Sequence, residues 1–436
     1  MEWWIVLVTL LVGILFFFMT GMPIAVGFGL INIIGLYFFC GGLDTLNIIA
    51  FSGYSSIASF LYIALPLFIL LGDIIMYTGI SNLAFNALDK WMGRVPARLS
   101  VVSIASSMLF GAVSGSSMAC TAAIGSYSVP EMVSRGYNKS FAIGTVLGGA
   151  SLDILIPPSV LAVIFASLSE VSLGKLLIAI LGPGVMLGVL FIMYVIVRGA
   201  LDPSLAPPYV PEKVTLSQKI WLLRHILPMA LLIFVVIGFI YLGICTASEA
   251  AALGAFCAII LSVIYRKFNR TTITKSLLEA GRVTSMIFFI LIGSRAYSQL
   301  LAYTGAATNL CEAVTHLEVN RWVIIVIMQL IIGLLDVAMD PVSIMYITIP
   351  IYFPIITALG FDPIWFSVVM MINIELCCIS PPFGFNLYVM KSISPPGTTM
   401  GEVFRASIPY CIMHVFGMIL VMLVPEIALW LPSMMK

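Results

Sequence analysis

Two pairs of segments in this sequence carry residue types suited to ion chemistry. The first pair is Gly111-Ala112-Val113-Ser114-Gly115-Ser116-Ser117 and Ser151-Leu152-Asp153-Ile154-Leu155-Ile156-Pro157-Pro158-Ser159. Small residues let a chain reverse inside protein, and hydroxyls and freed carbonyls are oxygen ligands. Small residues also line helix contacts, so the first segment by itself reads equally well as packing. The second segment shifts that balance. A Pro-Pro pair within an apolar run removes backbone donors and frees carbonyls one turn earlier, and hard cations take oxygen ligands. The second half of the chain repeats the device, with Asp336-Val337-Ala338-Met339-Asp340-Pro341 followed by Cys377-Cys378-Ile379-Ser380-Pro381-Pro382-Phe383-Gly384.

Arg295 stands within the apolar run MIFFILIGSRAYSQLL. An arginine at membrane depth is expensive and is by default a functional candidate. Its planar fork can hold a carboxylate or sulfonate bidentately. The competing reading is a structural ion pair, with Asp73 or Glu249 as partner, or snorkelling to an interface. Asp73, Glu249 and Glu375 also lie in apolar surroundings. Glu249 begins a span, where a carboxylate is favourable with the helix dipole.

The elements that position these residues follow from composition. The chain has 436 residues, 61% hydrophobic and 9% charged. An ordinary soluble domain is roughly 25% charged, so a water-soluble enzyme is excluded. Mean hydropathy is +1.16, which excludes a disordered chain. What remains is an all-α polytopic membrane protein. At about 20 residues per span, the apolar sequence accommodates roughly ten to twelve crossings. The net charge of +1 gives no case for nucleic acid. The eight cysteines form no CxxC, and the three histidines, His225, His316 and His414, are far apart. Neither a disulfide scaffold nor a zinc site is indicated.

Apolar stretches run over 3–19, 23–40, 57–78, 97–135, 141–168, 176–198, 225–243, 247–265, 280–303, 321–358, 363–390 and 406–431. Two of them, 97–135 and 321–358, are too long for one crossing and have polar, Gly- or Pro-bearing middles. We read them as hairpins that enter and leave by one face. The arm 97–110 gives about 21 Å of helix against a hydrocarbon core of about 30 Å. With the N-terminus outside, Lys90, Arg94, Arg98, Arg135, Lys139 and later basic clusters at 213–224, 266–275 and 391–405 all fall inside. That agrees with the excess of Lys and Arg in cytoplasmic loops and puts both termini on the periplasmic side of a bacterial inner membrane. Trp3, Trp4, Trp221, Trp365 and Trp430 fall near span ends, as interface anchors do. No basic leader of a cleaved signal precedes the first span.

The halves resemble each other. Pro130, Gly136, Tyr137, Pro157 and Pro158 find Pro354, Gly360, Phe361, Pro381 and Pro382 at one constant spacing of 224 residues. The charge layout puts the first hairpin on the cytoplasmic side and the second on the outer side. We therefore expect two inverted repeats, 1–198 and 225–436, joined by a cytoplasmic linker at 199–224 rich in proline. Inverted repeats with interrupted helices are a signature of secondary transporters, with substrate and ions near the midplane.

The text SGSSMACTAAIGSYSVPEMVSRGY at 114–137, ILIPPS at 154–159 and ISPPFG at 379–384 resembles the large membrane subunit of tripartite ATP-independent periplasmic (TRAP) transporters. Pro350, Pro354 and Gly360-Phe361-Asp362-Pro363 match as well, and Thr246-Ala247-Ser248-Glu249-Ala250-Ala251 is similar to the family's T-P-T-E-A-A, with Ala for the Pro. The resemblance covers essentially the whole chain. It implies a sodium-driven uptake system of elevator type. A periplasmic substrate-binding protein would deliver a small organic anion, a carboxylate or a sulfonate. A small four-helix membrane subunit would be a separate chain. It further implies two Na⁺ sites as coupling-ion sites. The first is at Ser114 and Ser116 with backbone oxygens of Asp153, Ile156 and Pro158. The second is at Asp336, Cys377, Ser380 and Phe383. The family usually has Gly at positions 153, 336 and 377, where this chain has Asp, Asp and Cys; backbone carbonyls still ligate. Arg295, Ser116 and Ser117 are the candidate substrate contacts.

Two rivals to this reading stand. An intramembrane enzyme would need paired Asp, a Ser-His pair or a metal motif, and the histidines adjoin none. A channel or self-sufficient sodium/dicarboxylate carrier shares hairpins and repeats, and would work without a binding protein.

Overall fold

The computed structural model describes residues 2–42, 45, 47, 49, 53, 54, 57–78, 87, 89, 91, 95–207, 216–336 and 339–435. Lys90, Arg94, the linker centre at 208–215 and positions 337 and 338 of the second tip lie outside the described residues. Among the described residues the fold is helical, with no strand.

The first half contains α1 (Trp3–Met19), α2 (Ile24–Phe39) and α3 (Ala64–Thr78), the last entered through a short 3-10 turn at Phe60–Ile63. Then come α4 (Arg98–Ser114), α5 (Ser117–Ser134), α6 (Lys139–Ser151), α7 (Val160–Ser169) and α8 (Leu173–Leu201). The second half contains α9 (Leu216–Ile233), continued by a π-helical turn at Phe234–Gly238, then α10 (Ala247–Ile264), α11 (Arg270–Tyr303) and α12 (Ala306–Thr315). It ends with α13 (Arg321–Asp336), α14 (Pro341–Ala358), α15 (Pro363–Cys377), α16 (Phe385–Ile393), α17 (Met400–Leu423) and α18 (Glu426–Ser433).

The segments 97–135 and 321–358 are the helical hairpins α4–α5 and α13–α14. α4 stops because Gly115 takes φ +60°, a left-handed conformation that glycine adopts without steric cost. Its N–H closes on Gly111 O at 3.0 Å. The extended Ser116 then caps α5. α14 starts at Pro341, where a missing N–H costs nothing, behind the cap Asp340. The segments 141–168 and 363–390 are the interrupted helices α6–α7 and α15–α16. Between α6 and α7 the chain makes a 3-10 turn at Leu152–Leu155 and passes Pro157-Pro158, and the two parts are bent by 41°. α8 runs to Leu201 and α9 begins at Leu216, so regular helix enters the expected linker from both ends.

Five helices among the described residues are long and apolar enough to span a membrane, and the bent pair α6–α7 makes a sixth. Shorter apolar helices such as α1 (17 residues) and α2 (16 residues) supply further candidates; at 1.5 Å per residue each is about 25 Å long. Polar residues gather inside, and large apolar ones such as Phe16, Phe289, Leu334 and Ile412 face outward. That is the burial pattern expected when the solvent is lipid.

Glycines let helices meet at backbone distance. α6 lies on α17, where a Cβ at Gly144 would stand 2.4 Å from Ala406 O. α2 lies on α11, with Asn32 Nδ2 donating to Gly293 O at 2.7 Å. Trp365 donates from its ring nitrogen to Val421 O at 2.9 Å, fixing α15 on α17. The helices α1–α3, α10 and α11 thus form one packed group, and the hairpin α4–α5 with α6–α8 and α15–α17 forms another.

The two ends of the molecule are distinct in composition. At one end Lys139 pairs with Glu402 at 3.1 Å, Arg98 pairs with Asp89 at 3.0 Å, and Asn138 N donates to Leu205 O at 2.9 Å. At the other end the turn at 170–174, the turn at 243–247 and Met435 border one cavity. α8 runs between the two ends, 29 residues or about 43 Å.

Candidate functional site

The first tip sits inside the protein. A Cβ on Gly72 of α3 would lie 2.5 Å from Ser114 O, so α3 touches the tip through bare backbone. A Cβ on Gly115 would lie 3.0 Å from Val160 Cγ2, at the start of α7. A Cβ on Gly111 would lie 2.9 Å from Asp153 Oδ1. The tip's hairpin is therefore seated on the first helix break. Gly184 of α8 closes on the same break, where its Cβ would stand 2.6 Å from Leu155 O. Ile156 and Pro158 are buried within the break.

The tip hydroxyls have local partners. Ser116 Oγ accepts from Ala119 N at 3.3 Å, and Ser114 Oγ accepts from Ser116 N at 3.4 Å. The first caps α5 and the second is a local turn bond, and each leaves its hydroxyl oxygen a second lone pair. Ser117 exchanges hydrogen bonds with Asn386 on α16; the Asn386 Nδ2 to Ser117 Oγ distance is 3.2 Å. That contact joins residues 269 apart in sequence and ties the first hairpin to the second interrupted helix.

The second tip mirrors the first in its partner. Ser380 Oγ, at the second break, donates to the Asp336 carboxylate. Cys377 Sγ donates to Asn373 O at 3.3 Å. Asp336, Cys377 and Ser380 are thus brought together. The Phe383 side chain points away, 55% exposed, which leaves only its backbone for a ligand role. Asp340 accepts from the N–H of Val342 and Ser343 at 3.0 and 3.2 Å, capping α14. Asn373 donates to Gln329 O and Oε1 at 2.8 and 2.9 Å, fixing α15 to the arm α13.

A cavity of about 460 Å³ opens beside the first tip. Ser114–Ala119, Asp153, Ile154, Cys378 and Phe385 border it, with Asp73, Glu279 and Asp340 around it. None of the described residues that line it is Lys, Arg or His. Among the described residues no group of three or more His, Cys, Asp and Glu side chains converges on a metal position. The donors at the tip are oxygen atoms, the ligand type that hard cations take.

Arg295 lies elsewhere. It borders a second, wider cavity of about 1110 Å³ with Tyr62, Glu170, Ser248, Ser298 and Gln299. Its Nη1 meets Glu170 Oε1 at 2.5 Å and its Nη2 donates to Ser167 O at 2.8 Å. The ion-pair partner is therefore Glu170, neither Asp73 nor Glu249. The structure brings Ser116 and Ser117 together but leaves Arg295 in a different cavity. Glu249 makes a capping box with Thr246, with its Oε2 at 2.8 Å from Thr246 N, as a helix-start charge should. Sequence reasoning missed Glu170 and Asn386 as partners. Both are polar residues at the borders of apolar helices, and that was the signal available.

A family profile described as "Tripartite ATP-independent periplasmic transporter, DctM component" matches residues 11–427. The chain is 32% identical over 435 residues to the "C4-dicarboxylate TRAP transporter large permease protein DctM" of Rhodobacter capsulatus, covering 96% of each chain. It is 31% identical over 393 residues to the protein of the same description from Pseudomonas aeruginosa, covering 89% of this chain and 90% of the other. Among solved structures, the YdaH transporter of Alcanivorax borkumensis superposes with a TM-score of 0.64 at 13% identity, covering 91% of both chains. That last likeness concerns the fold.

Proposed function

Since the chain belongs to the family of tripartite ATP-independent periplasmic transporters, as their DctM component, we propose that it is the large permease subunit of a sodium-driven importer of a small organic anion. It would work in the bacterial inner membrane by an elevator movement, with a separate small four-helix subunit and a periplasmic binding protein. A multi-pass transporter that is not an enzyme follows from the family itself. The coupling ion, the movement and the substrate are our reading.

One observation carries it. Each hairpin tip is seated on a Pro-Pro helix break, through Gly111 on Asp153 in one half and Asp336 on Ser380 in the other. Each junction gathers hydroxyl, carboxylate and freed carbonyl oxygens, the ligand set for a hard cation. The cavity beside the first tip favours the same reading. It is bordered by four carboxylates and no basic side chain among its described residues. An organic anion entering there needs counter-charge, and small cations bound at the tips would supply it. Ser114 and Ser116 with the carbonyls at 153, 156 and 158 would form one Na⁺ site. Positions 336, 377, 380 and 383 would form the other. Ser116 and Ser117 would then lie against the substrate.

The movement follows from the two packed groups. Helices α1–α3, α10 and α11 would be the static part, and the hairpins with the interrupted helices would slide past them. The chain ends near Met435, the 170–174 turn and the 243–247 turn border one cavity, and the Lys139–Glu402 pair lies at the other end. That arrangement favours periplasmic termini, with the first hairpin entering from the cytoplasm and the second from the periplasm.

The test is uptake in proteoliposomes containing both membrane subunits, with the binding protein outside and a panel of carboxylates and sulfonates. We expect accumulation only with Na⁺ outside and binding protein present. Full uptake with Na⁺ replaced by choline would refute sodium coupling. Full uptake without the binding protein would favour a self-sufficient carrier.

A further inference from the structure

Arg295 has no part in the two ion sites, yet its cavity is continuous in the fold with theirs. Among the described residues that line the cavity of about 1110 Å³, it is the one Lys, Arg or His. The same three elements border this cavity and the one beside the first tip. On α11, Ile287 and Ile290 line the tip cavity, and Arg295 and Ser298 line the wider one. On α7, Val160 and Ile164 line the first, and Ser167 and the terminal Glu170 line the second. On α3, Ile69 and Asp73 line the first, and Tyr62, in the turn leading into α3, lines the second. Ile290 and Arg295 are separated by about 7.5 Å of helix. The two cavities are therefore successive chambers of one seam. Its walls are α3 and α11 of the proposed static group and α7 of the proposed moving group.

The moving wall closes on the guanidinium twice. Arg295 Nη1 meets Glu170 Oε1 at 2.5 Å, and Nη2 donates to Ser167 O at 2.8 Å. Glu170 does so from φ +59°, as the left-handed residue that ends α7. Glycine is the usual residue there, because a side chain is strained in that conformation. The Glu170 side chain is 72% exposed, and an ion pair so exposed adds little to stability. Stability therefore does not account for the strain, and strain held at one residue points to a use for its side chain. On the static wall, Ser298 and Gln299 follow Arg295 by three and four residues, on the same helix face. They set hydroxyl and amide donors beside the guanidinium. We propose that the Arg295 cavity is a carboxylate-binding station at the outer end of the seam, and that Glu170 is its tethered plug. Glu170 fills the fork with the group that a transported acid brings. When α7 slides, Glu170 and Ser167 O leave together. The freed guanidinium then takes the incoming carboxylate through two parallel hydrogen bonds, with Ser298 and Gln299 at its flank. From there the acid passes along α11 to the tip chamber.

The station's place on an import path rests on the transporter reading above, and the experiment needs neither Na⁺ nor transport. The purified complex of both membrane subunits, carrying Ser298→Cys as a reporter, is alkylated in choline buffer. Peptide mass spectrometry reads the modification at that position. The probes are propionate, as its choline salt, and the uncharged isostere propionamide. Propionate should protect the reporter thiol and propionamide should not. Adding Glu170→Gln should lower the half-protecting propionate concentration about fivefold, the upper end for an exposed ion pair. Adding Arg295→Gln should abolish protection. Size-exclusion profiles report which variants remain folded, and Glu170→Gln, a change at an exposed side chain, keeps the test available if Arg295→Gln does not fold. Equal protection by the two probes, or none by propionate, would overturn the carboxylate station. An unchanged midpoint in Glu170→Gln would overturn the plug and leave the pair a structural one. Uptake that proceeds without Na⁺ in the proteoliposome assay would remove sodium coupling and leave this result standing.

Discussion

Arg295 on α11 reaches across to Glu170, in the turn between α7 and α8, with 2.5 Å between Nη1 and Oε1. The pair links the proposed static helices to the proposed moving ones. Its members are unequal: the Glu170 side chain is 72% exposed, whereas Arg295 is 28% exposed and also holds Ser167 O. An exposed pair of this kind contributes about 0–1 kcal/mol, so the pair is poorly suited to holding the fold together. It is well suited to breaking and reforming.

That asymmetry gives the first prediction. Glu170→Gln should leave thermal stability within about 1 kcal/mol, and it frees the guanidinium. If Arg295 meets the substrate anion at one stage of transport, Glu170→Gln lowers the KM for uptake. Arg295→Gln then raises it roughly tenfold or more, the scale of a hydrogen bond to a charged group. Arg295→Lys keeps charge without the planar fork and should fall between. Uptake kinetics unchanged in Arg295→Gln would confine the residue to a structural role.

A second prediction concerns the first tip. Ser114→Ala with Ser116→Ala removes two hydroxyl oxygens that already accept backbone N–H groups in the tip. At about 1 kcal/mol each, the double change should raise the Na⁺ concentration for half-maximal uptake by roughly thirtyfold. The measurement is uptake against external Na⁺, and an unchanged midpoint would remove these hydroxyls from the ion site.

The bond from Ser380 to Asp336 carries a third. Asp336 is 6% exposed, so Ser380→Ala leaves a buried carboxylate without its donor. The expected loss is about 1–3 kcal/mol of stability, read as a lower unfolding temperature of the detergent-solubilised complex. Saturating Na⁺ should restore part of it, because an ion bound at this junction stabilises by mass action. An equal loss with and without Na⁺ would place the ion elsewhere.

Gly72 supplies a fourth. Its missing Cβ leaves room for the Ser114 carbonyl 2.5 Å away, and backbone cannot move aside as a flexible side chain can. Gly72→Ala should push the first tip off α3 and weaken Na⁺-driven uptake at least as much as the double serine change. Gly281, with nothing within 4 Å of its would-be Cβ, is the control: Gly281→Ala should leave uptake unchanged. Equal effects of the two substitutions would refute the contact argument.

The sequence by itself determined where the helices turn and break. Gly115 before Ser116, Asp340 before Pro341, and the two Pro-Pro pairs act through the local backbone: a left-handed residue, a side-chain cap, a missing donor. The hairpins accordingly run within a residue or so of the limits read from apolar length, 98–134 and 321–358. The capping role of Glu249 was legible for the same reason, since its partner Thr246 is three residues away. What the sequence left open is which distant groups meet. Arg295 finds Glu170 across 125 residues, and Ser117 finds Asn386 across 269. Apolar helices have many faces of similar hydrophobicity, and in lipid close packing at small residues decides among them. Gly72, Gly111, Gly144 and Gly184 set those approaches here. Tertiary structure therefore separated Arg295 from the first hairpin tip and gave it Glu170 as its partner, because those distances depend on helix packing and not on any local signal.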